Sequence, residues 1–340
     1  MTRTIKTAAV VTAGLAIGVV AIHAQRPAPV ASHTMTAAEH LTQQAAAGNP
    51  HAGHALMAMN APALQAAPAN MALPADDMGV VDRLAKSPRK GEFVTLTVGG
   101  NPMRAWVVRP QGQGRAPVVI VIQEIFGLSD WIRGVADQMA AEGFIAVAPD
   151  LLGDSSKVPA NEMTQAHFAL QPADIVAKLK AAREYGMKLP NANGKSATIG
   201  FCFGGNQSFL MAVEESSLSA AVVYYGTAPT DAPAAAGGGR GGGRGGGGAA
   251  APFVPTDRLA NVKAPVLGLY GGMKEDARIG VSIAPTQEKM KQLGKAYEPH
   301  VFEGAAHGFL RAQTGNAGAN MKATQEAWPL TVAWIKKYGS

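Results

Sequence analysis

The segment Gly200-Phe201-Cys202-Phe203-Gly204-Gly205 constrains the fold of this chain more than any other part of the sequence, and it contains the only cysteine. Residues 196–199 before it are predicted to form a short buried strand, and residues 206–212 after it open a helix. A sharp strand-to-helix turn needs small neighbours, which the glycines supply. Such a turn raises the sulfur above the sheet and directs the following backbone N–H groups toward a ligand. The segment therefore indicates a nucleophile elbow, with a buried structural cysteine as the alternative.

A nucleophile on such a turn needs a base and an acid that orients the base. A later apolar run, residues 265–270, predicts a parallel strand, and residues 298–303 resemble the last strand. Glu275 and Asp276 follow the first of these segments, and His307 lies in the loop after the second. Because ligands bind outside the carboxyl ends of the strands in open α/β sheets, we expect an acid and the histidine to meet at the edge where the cysteine emerges.

A further carboxylate follows the nearly continuous apolar run of residues 117–123, which predicts a central strand buried on both faces. Glu124 comes directly after this run. A carboxylate that is buried there without a partner is costly. The functional interpretation is a carboxylate beside the thiol, and the alternatives are a helix N-cap or an acid in a surface loop.

Predicted strands alternate with predicted helices, which favours an α/β fold with a mostly parallel central sheet and helices on both faces. Amphipathic helices are predicted over residues 131–142 and 174–185, and a final helix over 321–338 is expected to break near Pro329. Roughly 250 residues remain after the N-terminal region, enough for one such domain.

Several short motifs in this order resemble the dienelactone hydrolase family of α/β-hydrolases. They are Gln123-Glu124-Ile125-Phe126-Gly127, Ala148-Pro149-Asp150-Leu151, the Cys202 segment, Tyr224-Tyr225-Gly226 and Gly304-Ala305-Ala306-His307-Gly308-Phe309. They span roughly residues 90–338, the predicted catalytic domain. The resemblance implies an α/β-hydrolase fold and cleavage of an ester or lactone by a cysteine nucleophile, without a cofactor or a metal.

The resemblance also implies roles for individual side chains. Cys202 corresponds to the nucleophile and His307 to the base. Asp276 corresponds to the acid, although Glu275 lies closer to the glycine pair where the family's acid commonly stands. Glu124 corresponds to a glutamate that helps to take the thiol proton when substrate arrives.

Other positions correspond to binding groups. The backbone N–H groups of Ile125 and Phe203 correspond to the oxyanion hole, and Arg311 corresponds to an arginine that pairs with the glutamate or with a substrate carboxylate. A second substrate-binding arginine of the best-known members has no counterpart between residues 133 and 183, where Lys157 is the nearest suitable cation. Lysine lacks the bidentate fork that suits a carboxylate, so a generic ester or lactone is a better expectation than dienelactone itself.

Two alternatives to this enzyme are a catalytically silent binding protein that retains the fold and a serine-type esterase. The second is excluded by the absence of a serine at the elbow.

The insertion GGGRGGGRGGGG at residues 237–248 is predicted to be a flexible surface loop. Arg-Gly segments can bind RNA, but this one has two arginines and no aromatic residue. With a net charge of only +6, no nucleic-acid partner is expected, only a small-molecule substrate.

The N-terminal region carries a targeting pattern. Arg3 and Lys6 precede an apolar stretch from residue 8 to 22, which predicts a signal peptide over residues 1–24 and export to the periplasm or beyond the cell. An uncleaved membrane anchor is the alternative. After cleavage no stable membrane association is expected. Residues 25–80, rich in Ala, Met and His, are predicted to be a disordered linker, with metal binding by their histidines and methionines as a weaker alternative.

Overall fold

The computed structural model describes residues 70–112, 114–229, 254 and 256–339. The described strands are β1 (Glu92–Val98), β2 (Asn101–Val108), β3 (Ala116–Ile122), β4 (Ile145–Pro149), β5 (Ala192–Phe201), β6 (Ala220–Tyr224), β7 (Val266–Gly271) and β8 (Tyr297–Phe302). The described α-helices are α1 (Val80–Lys86), α2 (Asp130–Ala141), α3 (Met163–Ala169), α4 (Pro172–Met187), α5 (Phe203–Glu214), α6 (Ala277–Gln292) and α7 (Ala319–Gly339). The predicted signal peptide, the insertion at 237–248 and the linker up to residue 69 lie outside the described residues.

These strands form one sheet in the order β1-β2-β4-β3-β5-β6-β7-β8. The pairs β1–β2 and β2–β4 are antiparallel, and all later neighbours, from β4–β3 to β7–β8, are parallel. The carboxyl ends of β3, β5, β6, β7 and β8 therefore meet at one edge of the sheet. This edge carries the predicted site residues.

The two faces of the sheet bury separate apolar clusters, as the alternation along β3 shows. Val118 and Ile120 of this strand belong to the cluster under α4, α5 and α6, whereas Val119 and Val121 belong to the cluster under α1, α2 and α7. All four side chains are fully buried, which explains why the strand is almost continuously apolar in the sequence. The predicted α/β fold with helices on both faces is confirmed.

The final helix differs from the prediction, because α7 runs without interruption through Pro329. A proline inside a helix removes one hydrogen bond and crowds the carbonyl of the preceding turn. Here Pro329 is exposed, so the freed carbonyl can be hydrated, while Trp328 and Thr331 bury the opposite face. Packing on the sheet therefore outweighs the local cost of the proline.

The predicted linker also ends earlier than expected, because residues 70–79 are packed on the domain. Leu73 is buried, and Gln313 donates a hydrogen bond from Nε2 to the carbonyl oxygen of Pro74 at 2.8 Å. Arg83 of α1 donates to the carbonyl oxygens of Met71 and Leu73 at 2.7 and 2.6 Å. We call residues 70–79 the N-terminal segment.

Across the described part of the chain, no helix combines the length and the apolar character that a membrane span requires.

Candidate active site

Cys202 lies at the sharp turn between β5 and α5. Its backbone has φ 53° and ψ −113°, and its N–H donates to the carbonyl oxygen of Tyr224 at 3.0 Å. A non-glycine residue with such a φ costs about 1–3 kcal/mol, which the surrounding structure must offset. The side chain is partly exposed. The turn thus presents the sulfur at the carboxyl end of the sheet, as the sequence predicted.

The glycines around this turn are required because backbone segments approach each other there. A Cβ on Gly200 would overlap the carbonyl group of Gly204. A Cβ on Gly204 would overlap the carbonyl oxygen of Ile122 and lie 2.5 Å from that of Gln123. The first turn of α5 therefore rests directly on the end of β3. This contact brings Phe203, the first residue of α5, close to the loop that carries Glu124 and Ile125.

His307 and Asp276 form a hydrogen-bonded pair across neighbouring loops. Nδ1 of His307 lies 2.8 Å from Oδ2 of Asp276, at the start of α6. Asp276 is buried, whereas Glu275 is exposed. Of the two acids that the sequence left open, Asp276 is therefore the one that contacts the histidine.

The charges around His307 favour its protonated form. Burial alone would lower the pKa of His307, but the negative charge of the Cys202 sulfur and then the charge and hydrogen bond of Asp276 raise this pKa to about 10. A hydrogen bond with Cys202 acts in the same direction. His307 is thus placed between the sulfur and the carboxylate. This order of groups is the one that nucleophilic catalysis needs.

Glu124 is buried and lies against a guanidinium. Its Oε2 is 2.9 Å from Nε of Arg311, and the two side chains form a close ion pair. Burial raises the pKa of the Glu124 carboxyl, and the charges of Arg311 and His307 oppose this only in part. A carboxylate in such surroundings gains from accepting a proton. The structure therefore places Glu124 and Arg311 together, as the sequence-based assignment requires.

The oxyanion-hole residues occupy positions that suit their assigned role. Phe203 directly follows Cys202 at the N-terminus of α5, and Ile125 follows Glu124 in the loop after β3. Both residues are buried. Helix N-termini and backbone N–H groups stabilise developing negative charge on oxygen. The function of these two N–H groups stays a prediction.

Two neighbours of the site were not predicted to take part in it. Tyr225 is fully buried with φ 37°, and its ring centroid lies 5.1 Å from that of His307. Its hydroxyl has no hydrogen-bond partner within the described structure. Asp77, from the N-terminal segment, accepts a hydrogen bond from Nη1 of Arg311 at 3.0 Å. The motif Tyr224-Tyr225-Gly226 was a signal for the tyrosine, whereas Asp77 stands in what the composition predicted to be linker.

A cavity of about 370 Å³ lies beside Phe126, and its walls include Arg104 and Arg133. Arg104 is paired with Asp154 at 2.7 Å, and Arg133 is paired with Asp130. Lys157, the candidate for the missing second cation, is largely exposed and also pairs with Asp154, at 3.1 Å. Each of these cations has an acidic partner. No group of three or more potential metal ligands occurs among the described residues.

Comparison with known proteins supports the assignment to a family. The model of the dienelactone hydrolase family matches residues 103–339. The chain is 28% identical over 255 residues to the "Putative carboxymethylenebutenolidase" of Escherichia coli O157:H7, covering 73% of this chain and 87% of that protein. It is 30% identical over 253 residues to the protein of the same name from Synechocystis sp., covering 70% of this chain and 93% of the relative.

A solved structure gives the same result. The "Putative Dienelactone Hydrolase" from Klebsiella pneumoniae subsp. pneumoniae superposes with a TM-score of 0.61 at 26% identity, covering 74% of this chain and 99% of that chain. The relatives are named for lactone hydrolysis, so the predicted class of enzyme, a carboxylic ester or lactone hydrolase, is confirmed. The family match extends from β2 to the end of α7 and includes every predicted site residue. The chain therefore belongs to the dienelactone hydrolase family.

Proposed function

We propose that this protein hydrolyses an ester or lactone through a covalent thioester on Cys202. The observation that carries the proposal is the position of His307. Its Nδ1 lies 2.8 Å from Oδ2 of Asp276, and the charges of the Cys202 sulfur and the Asp276 carboxylate raise its pKa to about 10. A thiol is a weak nucleophile until it is ionised. An imidazole that a carboxylate orients beside the sulfur can take the thiol proton and so generate the reactive thiolate.

The chemistry follows from these groups. The thiolate attacks the acyl carbon, and the electron pair of the C=O bond moves to oxygen, where the N–H groups of Ile125 and Phe203 would hold the oxyanion. The oxyanion collapses, the C–O bond of the leaving group breaks, and His307 gives its proton to the departing alkoxide. In the second half, His307 takes a proton from water, hydroxide attacks the thioester, and the carboxylic acid and thiolate are released.

Glu124 would supply the proton acceptor for a thiol that is still protonated when substrate arrives. Burial raises the pKa of this carboxyl, and the charges of Arg311 and His307 together with the hydrogen bond from Arg311 lower it only in part. The raised pKa makes it easier for Glu124 to take a proton than for a solvated glutamate. The intact set of Cys202, His307 and Glu124 also disfavours the alternative of a non-catalytic binding protein.

The test compares the unmodified protein with Cys202→Ala on an activated ester and on a panel of lactones. We expect the variant to lose at least about 10³-fold in kcat/KM, because the covalent route is closed. Its circular dichroism spectrum and melting temperature should stay close to those of the parent. Near-normal turnover by a folded Cys202→Ala protein would contradict the proposal.

Export remains a separate proposal, supported only by the sequence pattern of residues 1–24. Expression of the full chain in a bacterial host, followed by N-terminal sequencing of the protein from the periplasmic fraction, tests it. Cleavage near Ala24 is the expected result, and retention of an intact N-terminus in the membrane fraction would support an anchor instead.

A further inference from the structure

Arg311, which the family resemblance assigns to the glutamate or to a substrate carboxylate, is already engaged by a second acid. Its Nη1 donates to Oδ2 of Asp77 at 3.0 Å, and its Nε lies 2.9 Å from Oε2 of Glu124. The face of the guanidinium lies over the ring of Phe126, 4.7 Å from its centroid. The side chain is only 12% exposed. Nη1, Nε and one face of the Arg311 guanidinium therefore have partners in the protein itself.

Asp77 is held firmly in this position. Its backbone N–H donates to the carbonyl oxygen of Arg311 at 3.0 Å, so the two residues are joined by main chain as well as by side chain. The N-terminal segment around it is fixed by the buried side chain of Leu73 and by the hydrogen bond from Gln313 to Pro74. The ion pair between Asp77 and Arg311 is thus preorganised and loses little side-chain entropy when it forms.

The ion pair with Asp77 offsets the positive charge of Arg311 in the active site. Three carboxylates, those of Asp77, Glu124 and Asp276, surround one guanidinium and one imidazole beside a sulfur that must become negative to react. A substrate carboxylate would compete with Asp77 for Arg311, or lie near the carboxylate of Asp77 in a partly buried site. Burying an unpaired charge is costly, and like charges repel strongly where water is excluded.

The geometry points to Asp77 as a specificity residue that occupies Arg311 and restricts the site to esters or lactones whose acyl group carries no carboxylate. This inference rests on the proposed thioester hydrolysis at Cys202. It assigns to the N-terminal segment, which precedes the residues matched by the family model, a part in the choice of substrate.

The first experiment uses two acyl groups that differ only in a terminal carboxylate, 4-nitrophenyl valerate and mono-4-nitrophenyl glutarate. We expect the full-length protein to prefer the valerate at least tenfold in kcat/KM. Asp77→Asn should raise the glutarate-to-valerate ratio at least tenfold, because Arg311 becomes available to the carboxylate. Asp76→Asn is the matched control: it removes the adjacent charge, and Asp76 bonds to the Gly79 N–H rather than to Arg311. Its ratio should stay at the parent value.

The second experiment does not depend on turnover. Cys202 is the only cysteine, so its alkylation by anionic iodoacetate and by neutral iodoacetamide reports the charge of the site directly. Asp77→Asn should raise the iodoacetate-to-iodoacetamide rate ratio severalfold, and Asp77→Ser should do the same if the asparagine variant fails to fold. Asp76→Asn should leave the ratio unchanged.

The two experiments separate the inference from the function on which it rests. Hydrolysis with unchanged ratios in both Asp77 variants would overturn the role of Asp77 and leave thioester hydrolysis standing. Absence of hydrolysis in every protein, together with a shifted alkylation ratio, would overturn the proposed function and support the effect of Asp77 on the charge of the site. A parent protein that hydrolyses both esters equally well would overturn the restriction to uncharged acyl groups.

Discussion

Replacement of Asp276 by Asn tests the assignment of this residue as the acid that orients His307. The pKa of His307 is raised to about 10, against an ordinary value near 6.5. At 1.36 kcal/mol for each pH unit, this difference corresponds to about 5 kcal/mol of preference for the imidazolium. The charge of Cys202 contributes first, and the charge and hydrogen bond of Asp276 contribute next. Loss of the Asp276 charge therefore lowers the pKa of His307.

We expect Asp276→Asn to lower turnover by about 10²–10⁴-fold, because the amide favours the wrong histidine tautomer. The assay is kcat and kcat/KM on an activated ester across pH. The alkaline limb of the profile should move to lower pH in Asp276→Asn, because the imidazolium then loses its proton more easily. Glu275→Gln is the matched control, since it removes the neighbouring but exposed carboxylate, and it should change kcat by less than about twofold.

Two results would refute this reasoning. A larger loss in Glu275→Gln than in Asp276→Asn would move the orienting role to Glu275. An Asp276→Asn protein with an unchanged alkaline limb would show that the carboxylate does not stabilise the imidazolium.

Gly204→Ala should lower the free energy of unfolding by about 1–3 kcal/mol, because the added Cβ would overlap the carbonyl oxygen of Ile122. Chemical denaturation measures this change. The control variant Gly114→Ala has open space around the added Cβ and should leave the free energy of unfolding unchanged. Cys202→Ala should lower the pKa of His307, because the charge of the sulfur is the first of the effects that raise it; titration of the imidazole signals by NMR checks this, and an unmoved pKa would contradict it. Deleting residues 237–248 should leave the melting temperature nearly unchanged, because the entropic cost of closing a loop grows slowly with its length. A large loss of stability would refute the prediction of a flexible loop. Unchanged stability with altered substrate preference would indicate that the loop is a lid.

The elbow and the edge of the sheet that carries the site were predictable because local rules determine both. The glycines around Cys202 are needed wherever two backbone segments touch, and the sequence records that need at fixed spacing. Parallel strands place their carboxyl ends at one edge, so Glu124, Asp276 and His307 were expected at the same place from their positions after three predicted strands. Periodicity and turn chemistry are sufficient for both inferences.

The choice between Asp276 and Glu275 was not predictable, because it depends on which of two adjacent side chains the loop after β7 turns toward His307. The contribution of Asp77 was hidden for a different reason. Its partner Arg311 lies 234 residues later in the chain, and the composition around it resembles linker. The continuous helix through Pro329 likewise depends on tertiary packing, which outweighs a local helix breaker. Each of these features is decided by long-range contacts.

The most direct test of the account is the capture of the acyl-enzyme intermediate. Brief reaction of the full-length protein with an activated ester, an acid quench and peptide mass spectrometry would locate the acyl group. Catalysis through a thioester predicts that the mass of the acyl group is added at Cys202 and that the adduct disappears in Cys202→Ala. A larger fraction of trapped thioester is expected in Asp276→Asn, because His307 then activates water less well for the second step. An acyl group on another residue, or turnover by the Cys202→Ala protein with no adduct in the parent, would contradict the account.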